Sequence, residues 1–127
     1  MIFFVQTKLA MDIFYYLKTC DTCKRIIKTL QLPDSIKQIN IKENPITPEQ
    51  LDVLFSKTKS YSALLNSRGQ LLKKRRIKAA EVSEKKSKAL ILEHYSFLKR
   101  PVLIYQDEIF IGNAAVTIEA AQIALHG

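Results

Sequence analysis

Short apolar runs separated by polar turns characterise the first third of the chain. Residues 12–17 are rich in aromatic and aliphatic β-formers, which predicts a buried strand. Apolar side chains then recur at helical spacing, which predicts a helix that begins at Asp21 or Thr22 and ends before Pro33. Apolar and polar residues alternate in 36–41, as in a second strand. A strand, a helix and a strand joined by short connections predict a parallel βαβ unit with a right-handed crossover.

Helical signals dominate the middle of the chain. Thr47 can cap a helix, Pro48 suits its first position, and Gln50 completes a capping box. Residues 61–66 predict a short helix, which is followed by a loop around Gly69.

The last third of the chain predicts a helix, a hairpin and a final helix. The first helix is expected at 83–98 and is stopped by Pro101. Two apolar runs, 102–105 and 109–111, flank a polar turn and predict an antiparallel hairpin. The final helix, at 113–125, has three members expected to be buried: Ile118, Ile123 and Leu125. The order is βαβ, a helical middle, then ββα, which predicts an α/β fold.

Length and composition are those of one globular domain. The chain has 127 residues, of which 47% are apolar and 25% charged. No apolar run reaches the roughly 20 residues of a membrane-spanning helix. The apolar stretch 1–5 lacks the basic residues and cleavage site of a signal peptide. We therefore expect a cytoplasmic protein without a membrane partner.

Basic residues outnumber acidic ones by 20 to 12, which gives a formal charge of +8. Such an excess favours anionic substrates, polyanions or acidic protein partners. Six basic residues and no acidic ones lie in 68–80. This segment has no interleaved aromatic residues and no recognised nucleic-acid motif, so direct nucleic-acid binding is not expected. We interpret it as a solvated loop, with a charge ring around an anion or acidic-partner site as the alternative.

The two cysteines, Cys20 and Cys23, carry the candidate chemistry. Cys20 follows a predicted strand and precedes a predicted helix, where unpaired backbone N–H groups and the helix dipole favour a thiolate. Lys24 and Arg25 add positive charge nearby. Cys23 lies one helical turn further on, so it could resolve a mixed disulfide formed at Cys20.

The cysteines have two alternative interpretations. Helical cysteines can be small core hydrophobes. A zinc site needs about four ligands, and only His94 and His126 remain as further candidates, without zinc-finger spacing. No metal site is therefore predicted, and His94 is interpreted as a surface or half-buried residue.

Three segments of the sequence resemble the arsenate-reductase/Spx branch of the thioredoxin-like superfamily. They are Tyr16-x-x-x-Cys20-x-x-Cys23-Lys24-Arg25, Leu65-Asn66-Ser67-Arg68-Gly69 and Leu98-Lys99-Arg100-Pro101-Val102-Leu103. The third is similar to the family's Arg-Pro-Ile-hydrophobic signature. The resemblance covers most of 11–127, so these residues are predicted to form a single thioredoxin-like domain. The family's fold implies a mixed four-stranded sheet flanked by helices, with a helical insertion between βαβ and ββα. Residues 1–10 match nothing and are predicted to be an N-terminal extension of uncertain structure.

The resemblance also implies a set of site residues. Cys20 corresponds to the catalytic cysteine, which attacks arsenate in the reductases and forms the redox disulfide in Spx-like regulators. Arg100 corresponds to an arginine that holds an oxyanion, a task suited to the guanidinium fork. Pro101 corresponds to a cis proline packed beside the cysteine. Thr19 and Lys73 complete the expected substrate-binding set. The alternatives are a solvated helix-end arginine and a trans, helix-terminating proline.

The sequence departs from the arsenate reductases at three positions. Lys73 falls where the reductases carry an arginine after the loop glycine, and Gly112 or Asn113 replaces a later arginine. Cys23 stands where the glutaredoxin-coupled reductases have no cysteine. Fewer fixed arginines weaken the case for arsenate as the substrate, whereas Cys23 favours dithiol chemistry.

These features together predict a thiol–disulfide oxidoreductase. Cys20 would be the nucleophile and Cys23 the resolving thiol, acting on a small oxyanion or a disulfide. No tightly bound cofactor is expected, and glutathione with glutaredoxin, or thioredoxin, would be the external reductant and redox partner. The alternative is an Spx-like, redox-switched transcriptional regulator that binds RNA polymerase. A family member with a different small-molecule substrate is a third interpretation.

Overall fold

The chain opens with a parallel βαβ unit. The computed structural model describes residues 11–127, and the predicted extension 1–10 lies outside the described residues. The unit comprises β1 (Ile13–Tyr16), α1 (Asp21–Leu30) and β2 (Lys37–Asn40). β1 and β2 run parallel along their whole length. The predicted order and direction of these elements are confirmed.

The helical insertion begins with α2 (Pro48–Thr58), whose predicted capping box is present. The backbone N–H of Gln50 donates to Thr47 Oγ1 at 3.1 Å, and the N–H of Thr47 donates to Gln50 Oε1 at 3.0 Å. Two further α-helices follow, α3 (Gln70–Lys74) and α4 (Glu84–Glu93). The 3₁₀ turns Ser62–Leu64 and Ala79–Glu81 separate these helices, and a further 3₁₀ turn, Tyr95–Phe97, follows α4.

The helix predicted at 83–98 is shorter than expected. α4 ends at Glu93, and His94 has extended backbone with φ −152° and ψ 139°. The His94 side chain accepts from the backbone N–H of Ser96 at 3.1 Å, so that N–H is satisfied without a continued helix. Pro101 therefore does not terminate this helix.

The basic segment 68–80 is not a single solvated loop. Gly69 is buried at the N-terminal cap of α3, and Leu72 anchors that helix in the core. Arg75, just beyond α3, pairs with Glu93, and its guanidinium carbon lies 5.3 Å from the centroid of a buried phenylalanine ring. The segment is thus tied to α4 and to the turn that follows it.

The chain closes with the predicted hairpin and helix, β3 (Val102–Tyr105), β4 (Glu108–Ile111) and α5 (Ala115–His126). The two turn residues, Gln106 and Asp107, both have positive φ, the conformation that matches the twist of a hairpin. The sheet order is β2-β1-β3-β4, with β1 antiparallel to β3 and β3 antiparallel to β4. The predicted mixed four-stranded sheet is confirmed.

The sheet separates two apolar clusters. Adjacent residues of β1 face opposite sides, so Tyr15 enters the larger cluster and Phe14 the smaller one. The smaller cluster contains residues of α1 and α5, namely Ile26, Leu30 and Ala121. The expectation that Ile123 is buried was wrong, because 62% of it is exposed. Within 11–127, no helix is long and apolar enough to cross a membrane.

Candidate active site

Cys20 lies where the chain leaves β1 and enters α1. It is the N-terminal cap residue of α1, with extended backbone. The turn before it is held by two hydrogen bonds, from the N–H of Cys20 to the Leu17 carbonyl at 3.0 Å and from the N–H of Lys18 to Asn40 Oδ1 at 3.1 Å. Because Asn40 is buried at the end of β2, the parallel strand pair fixes the position of the cysteine.

The surroundings of Cys20 favour its thiolate. The side chain is half-buried, and this partial burial by itself raises the pKa of the thiol. The backbone N–H and thiol of Cys23, the backbone N–H of Thr22 and the positive charge of Arg100 together outweigh that effect. The pKa of Cys20 is therefore held below its ordinary value, which increases the fraction of nucleophilic thiolate at neutral pH.

Cys23 is fully buried in the larger apolar cluster, and both cysteines are free thiols. Burial, together with the neighbouring Cys20, raises the pKa of Cys23 to about 11. Cys23 is therefore protonated at neutral pH, and its S–H can donate to the Cys20 thiolate. Cys23 thus packs as a core hydrophobe, and its thiol also lowers the pKa of Cys20.

The segment that contains Arg100 and Pro101 lies beside the cysteines. The Arg100–Pro101 peptide bond is cis, as the resemblance implied. Arg100 is half-buried, and its Nη1 donates to the carbonyls of Ser96 at 3.2 Å and Leu98 at 3.4 Å. Pro101 immediately precedes β3, which pairs with β1, so it lies at the sheet end from which the Cys20 turn departs. Arg100 is therefore a held side chain facing the thiols, not a solvated helix-end residue.

A cleft of about 590 Å³ opens in front of Cys20. Three cationic side chains line it, Arg68, Lys99 and Arg100, and none of its lining residues is acidic. Apart from Cys20 and the apolar Ile111, the remaining lining residues are polar or small: Thr22, Asn66, Ser67, Gly112, Asn113, Ala114 and Thr117. The cleft therefore suits a small anionic group placed within reach of a cysteine sulfur.

The loop that contributes Asn66 and Arg68 is attached to the segment that precedes Arg100. Leu65 forms an isolated β-bridge with Leu98, and the N–H of Asn66 donates to the Phe97 carbonyl at 2.8 Å. The Asn66 amide also donates to the Ser96 carbonyl at 3.2 Å. These contacts fix the position of the loop that contains Asn66 and Arg68 relative to the segment that contains Arg100.

The structure brings together some of the expected site residues and leaves others apart. Cys20 and Arg100 line the cleft, whereas Thr19 and Lys73 are exposed and lie outside its lining. Lys73 is on α3, so the cations near the thiol come instead from Arg68 and Lys99. Both of these residues stand in segments that resemble the family, and Arg68 also belongs to the basic segment 68–80, but neither was predicted as a site residue.

Neither histidine belongs to a metal cluster. In residues 11–127, no three His, Cys, Asp or Glu side chains are grouped so that they could hold a metal ion. His94 is exposed and contacts Ser96 through Nδ1, while His126 Nε2 lies 2.6 Å from the Leu30 carbonyl. Both rings therefore have local structural contacts.

Comparison with known proteins identifies one family. A profile of the ArsC family matches residues 15–121, a range that includes both cysteines and the cleft arginines. A search of curated proteins found no match to the chain.

Several solved structures share the fold. An ArsC-family-related protein from Bacteroides fragilis superposes with a TM-score of 0.70 at 20% identity, covering 87% of this chain and 98% of that one. An arsenate reductase from Vibrio cholerae gives a TM-score of 0.70 at 16% identity, covering 91% and 98%. An arsenate reductase-related protein from Brucella melitensis gives a TM-score of 0.65 at 25% identity, covering 87% and 92%. The predicted fold class is confirmed.

Proposed function

Because the chain belongs to the ArsC family, we propose that it is a thiol–disulfide oxidoreductase with Cys20 as its nucleophile. One observation carries the proposal. The Cys20 sulfur combines partial exposure, a pKa below its ordinary value and a cleft lined by three cations. Low-pKa cysteines that are reachable from solvent are the ones that take part in thiol–disulfide exchange.

The first step is attack by the Cys20 thiolate on one sulfur of a disulfide substrate. The substrate S–S bond breaks, one half leaves as a thiolate, and the other half remains on Cys20 as a mixed disulfide. The guanidinium of Arg100 faces the thiolate and can bind an anionic group of the incoming substrate.

The second step uses Cys23 as the resolving thiol. The charge on Cys20 contributes to the high pKa of Cys23, and mixed-disulfide formation removes that charge. The pKa of Cys23 then falls, although its burial remains. Once the Cys23 thiol has given its proton to the thiolate that left in the first step, the Cys23 thiolate attacks the Cys20 sulfur. This attack releases the second half of the substrate as a thiolate and leaves a Cys20–Cys23 disulfide. Two external thiols, or one dithiol protein, then reduce that disulfide by thiol–disulfide exchange and are themselves oxidised to a disulfide.

We propose a small oxyanion or a disulfide with anionic groups as the substrate class. The three cations of the cleft and the absence of acids from its lining support this choice. The proposed reductant and redox partner is glutathione with glutaredoxin, or thioredoxin, and no tightly bound cofactor is invoked. We place the protein in the cytoplasm, because a reducing compartment keeps such a cysteine pair reduced.

The direct test is turnover by the purified protein and by serine variants of each cysteine. The substrates are glutathione disulfide, with thioredoxin as the electron donor, and arsenate, with either glutathione–glutaredoxin or thioredoxin as the donor. Cys20→Ser should abolish turnover, and Cys23→Ser should stop at a mixed disulfide on Cys20 that mass spectrometry detects. The matched control is Ser56→Ala, which changes an exposed serine of α2 and should leave turnover unchanged. No turnover by the native protein with any donor would refute the proposal.

The alternative function is an Spx-like redox switch that binds RNA polymerase. The observation that favours it is the buried Cys23 beside Cys20, since a dithiol pair can store a redox state without any substrate. The formal charge of +8 would also suit an acidic partner surface. RNA polymerase retained by only one redox state of the protein, together with no turnover, would support the regulator over the enzyme.

A further inference from the structure

Lys99 occupies the space that a side chain at position 112 would need. Gly112 is buried and has φ +89°, a conformation that side chains rarely adopt. A Cβ atom placed on Gly112 would lie 2.9 Å from Cε of Lys99 and 3.7 Å from both its Cδ and its Nζ. The lysine stem therefore lies across the backbone of Gly112, and both residues line the cleft in front of Cys20.

The backbone of Lys99 is fixed by its neighbours. Its N–H donates to the Leu64 carbonyl at 2.8 Å, and the paired strand β3 begins shortly afterwards at Val102. The side chain thus starts from a fixed point and runs along the glycine into the cleft. Lys99 is itself exposed, but its stem lies against the backbone of Gly112.

The charge of Lys99 has no acidic partner in the described part of the chain. The ion pairs formed within 11–127 involve Lys24, Lys57 and Arg75, and no Asp or Glu lines the cleft. The Lys99 ammonium is therefore available to an anion that enters the cleft. Arg100, the adjacent cation, has backbone carbonyls as its hydrogen-bond acceptors and is available in the same way.

We propose that Lys99 is a substrate-binding cation that positions the anionic group of the substrate beside Cys20, with its stem lying in the space that Gly112 leaves free of a side chain. The proposal rests on the proposed function, because it deepens the choice of an anionic substrate for the same cleft. It assigns to Lys99 a contact with the substrate and to Gly112 a positioning role exerted through Lys99.

A pair of alkylating reagents tests the proposal without any need for turnover. The Cys20 thiolate displaces iodide from iodoacetate, which is anionic, or from iodoacetamide, which is neutral, and forms the same S–C bond with each. The measured quantity is the ratio of the two rate constants at Cys20, with the modified residue identified by mass spectrometry. Lys99→Met should lower this ratio about fivefold, the factor expected for one unit charge about 4 Å away in water. Lys99→Arg should retain the ratio, and so should Lys85→Met, which removes an exposed lysine of α4 outside the cleft.

Gly112→Ala tests the positioning role. In the native background this variant should lower the reagent ratio, because its Cβ displaces the lysine stem. In the Lys99→Met background it should have no further effect, since the displaced group is already absent. Thermal unfolding shows whether Gly112→Ala is folded. If it is not, the reagent ratios of Lys99→Met and Lys99→Arg alone test the proposal.

A native-like ratio in Lys99→Met would overturn the proposal. This outcome differs from failure of the proposed function, which would appear as absent turnover in a protein that still prefers iodoacetate. Where turnover occurs, Lys99→Met should raise KM for glutathione disulfide about fivefold and leave KM for the neutral bis(2-hydroxyethyl) disulfide unchanged.

Discussion

The reactivity of Cys20 depends on groups that come from two distant parts of the sequence. Backbone N–H groups and the Cys23 thiol are contributed by α1, and the positive charge of Arg100 comes from the residue before the cis proline. The sequence suggested Lys24 and Arg25 as additional positive charges, but neither lines the cleft. Lys24 Nζ instead lies 4.0 Å from Asp21 Oδ1. The charge that acts on the thiolate is therefore remote in sequence.

Removal of the Arg100 charge should make Cys20 less reactive at neutral pH. The guanidinium lowers the pKa of Cys20, so Arg100→Met should raise it. The thiolate forms as pH rises through the pKa, and the rate of iodoacetamide alkylation plotted against pH should therefore have its midpoint at higher pH in this variant. At neutral pH the rate should fall about fivefold. Arg25→Met is the matched control, and an equal displacement of the midpoint in both variants would contradict the assignment.

Two substitutions of Cys23 should have different effects on Cys20. Both remove the resolving thiol, but Cys23→Ser keeps a hydrogen-bond donor beside the Cys20 sulfur and Cys23→Ala does not. Because a donor to a charged group stabilises the thiolate, alkylation of Cys20 at neutral pH should be about tenfold slower in Cys23→Ala than in Cys23→Ser. Equal rates in the two variants would show that the Cys23 side chain has no influence on the nucleophile.

The sequence identified part of the site and missed part of it for a physical reason. Cys20 and Arg100 were found because each stands in a recognisable motif, and both line the cleft. The contact between Lys99 and Gly112 was not found, because it depends on a positive φ and on a close approach between residues on either side of a hairpin. The sequence had indicated Gly112 or Asn113 only as the replacement of an arginine, whereas the structure shows the Lys99 side chain lying against Gly112.

At the scale of elements, the residue that caps the C-terminal end of α1 has a strained backbone conformation, so a substitution there should stabilise the protein. Gln31 adopts φ 48° at the C-terminal end of the helix, and its side chain is exposed. Glycine takes this left-handed conformation without steric cost and is the preferred residue there. Gln31→Gly should therefore raise the free energy of unfolding by about 0.5–1 kcal/mol. Lys28→Gly, the same substitution inside α1, should lower it by about 1 kcal/mol. Urea unfolding measures both, and a loss of stability in Gln31→Gly would contradict the cap assignment.

Local signals predicted the element boundaries well where a cap was involved. The α2 start followed from Thr47 and Gln50, which hydrogen-bond reciprocally. The overlong helix at 83–98 shows the limit of periodicity, since its apolar residues continue beyond Glu93 through a 3₁₀ turn. A side-chain acceptor on His94 diverts the backbone there, and apolar spacing carries no information about that bond.

At the scale of the whole molecule, the sheet order assembles the cleft. β1 lies between β2 and β3, so the turn that follows β1 meets the segment that precedes β3. The hairpin then returns Gly112 and the start of α5 to the same end of the sheet. The βαβ unit and the hairpin could each be predicted from sequence, because both consist of neighbours in the chain. The pairing of β1 with β3 joins residues separated by the helical insertion, and only the family resemblance indicated it.

The summed charge of the cleft should make the reaction with anionic substrates sensitive to salt. Raising the ionic strength from about 0.01 M to about 0.1 M shortens the Debye length from about 30 Å to about 10 Å. The formal charge of +8 and the three cleft cations attract an anion over such distances, so kcat/KM for glutathione disulfide should fall about threefold or more. The neutral bis(2-hydroxyethyl) disulfide experiences no such attraction and should react at a constant rate, which makes it the internal control for general salt effects. In Lys99→Met the salt dependence should be weaker but not absent, because Arg68 and Arg100 remain. Equal salt dependence for the two disulfides would mean that the cationic lining of the cleft does not act on the substrate.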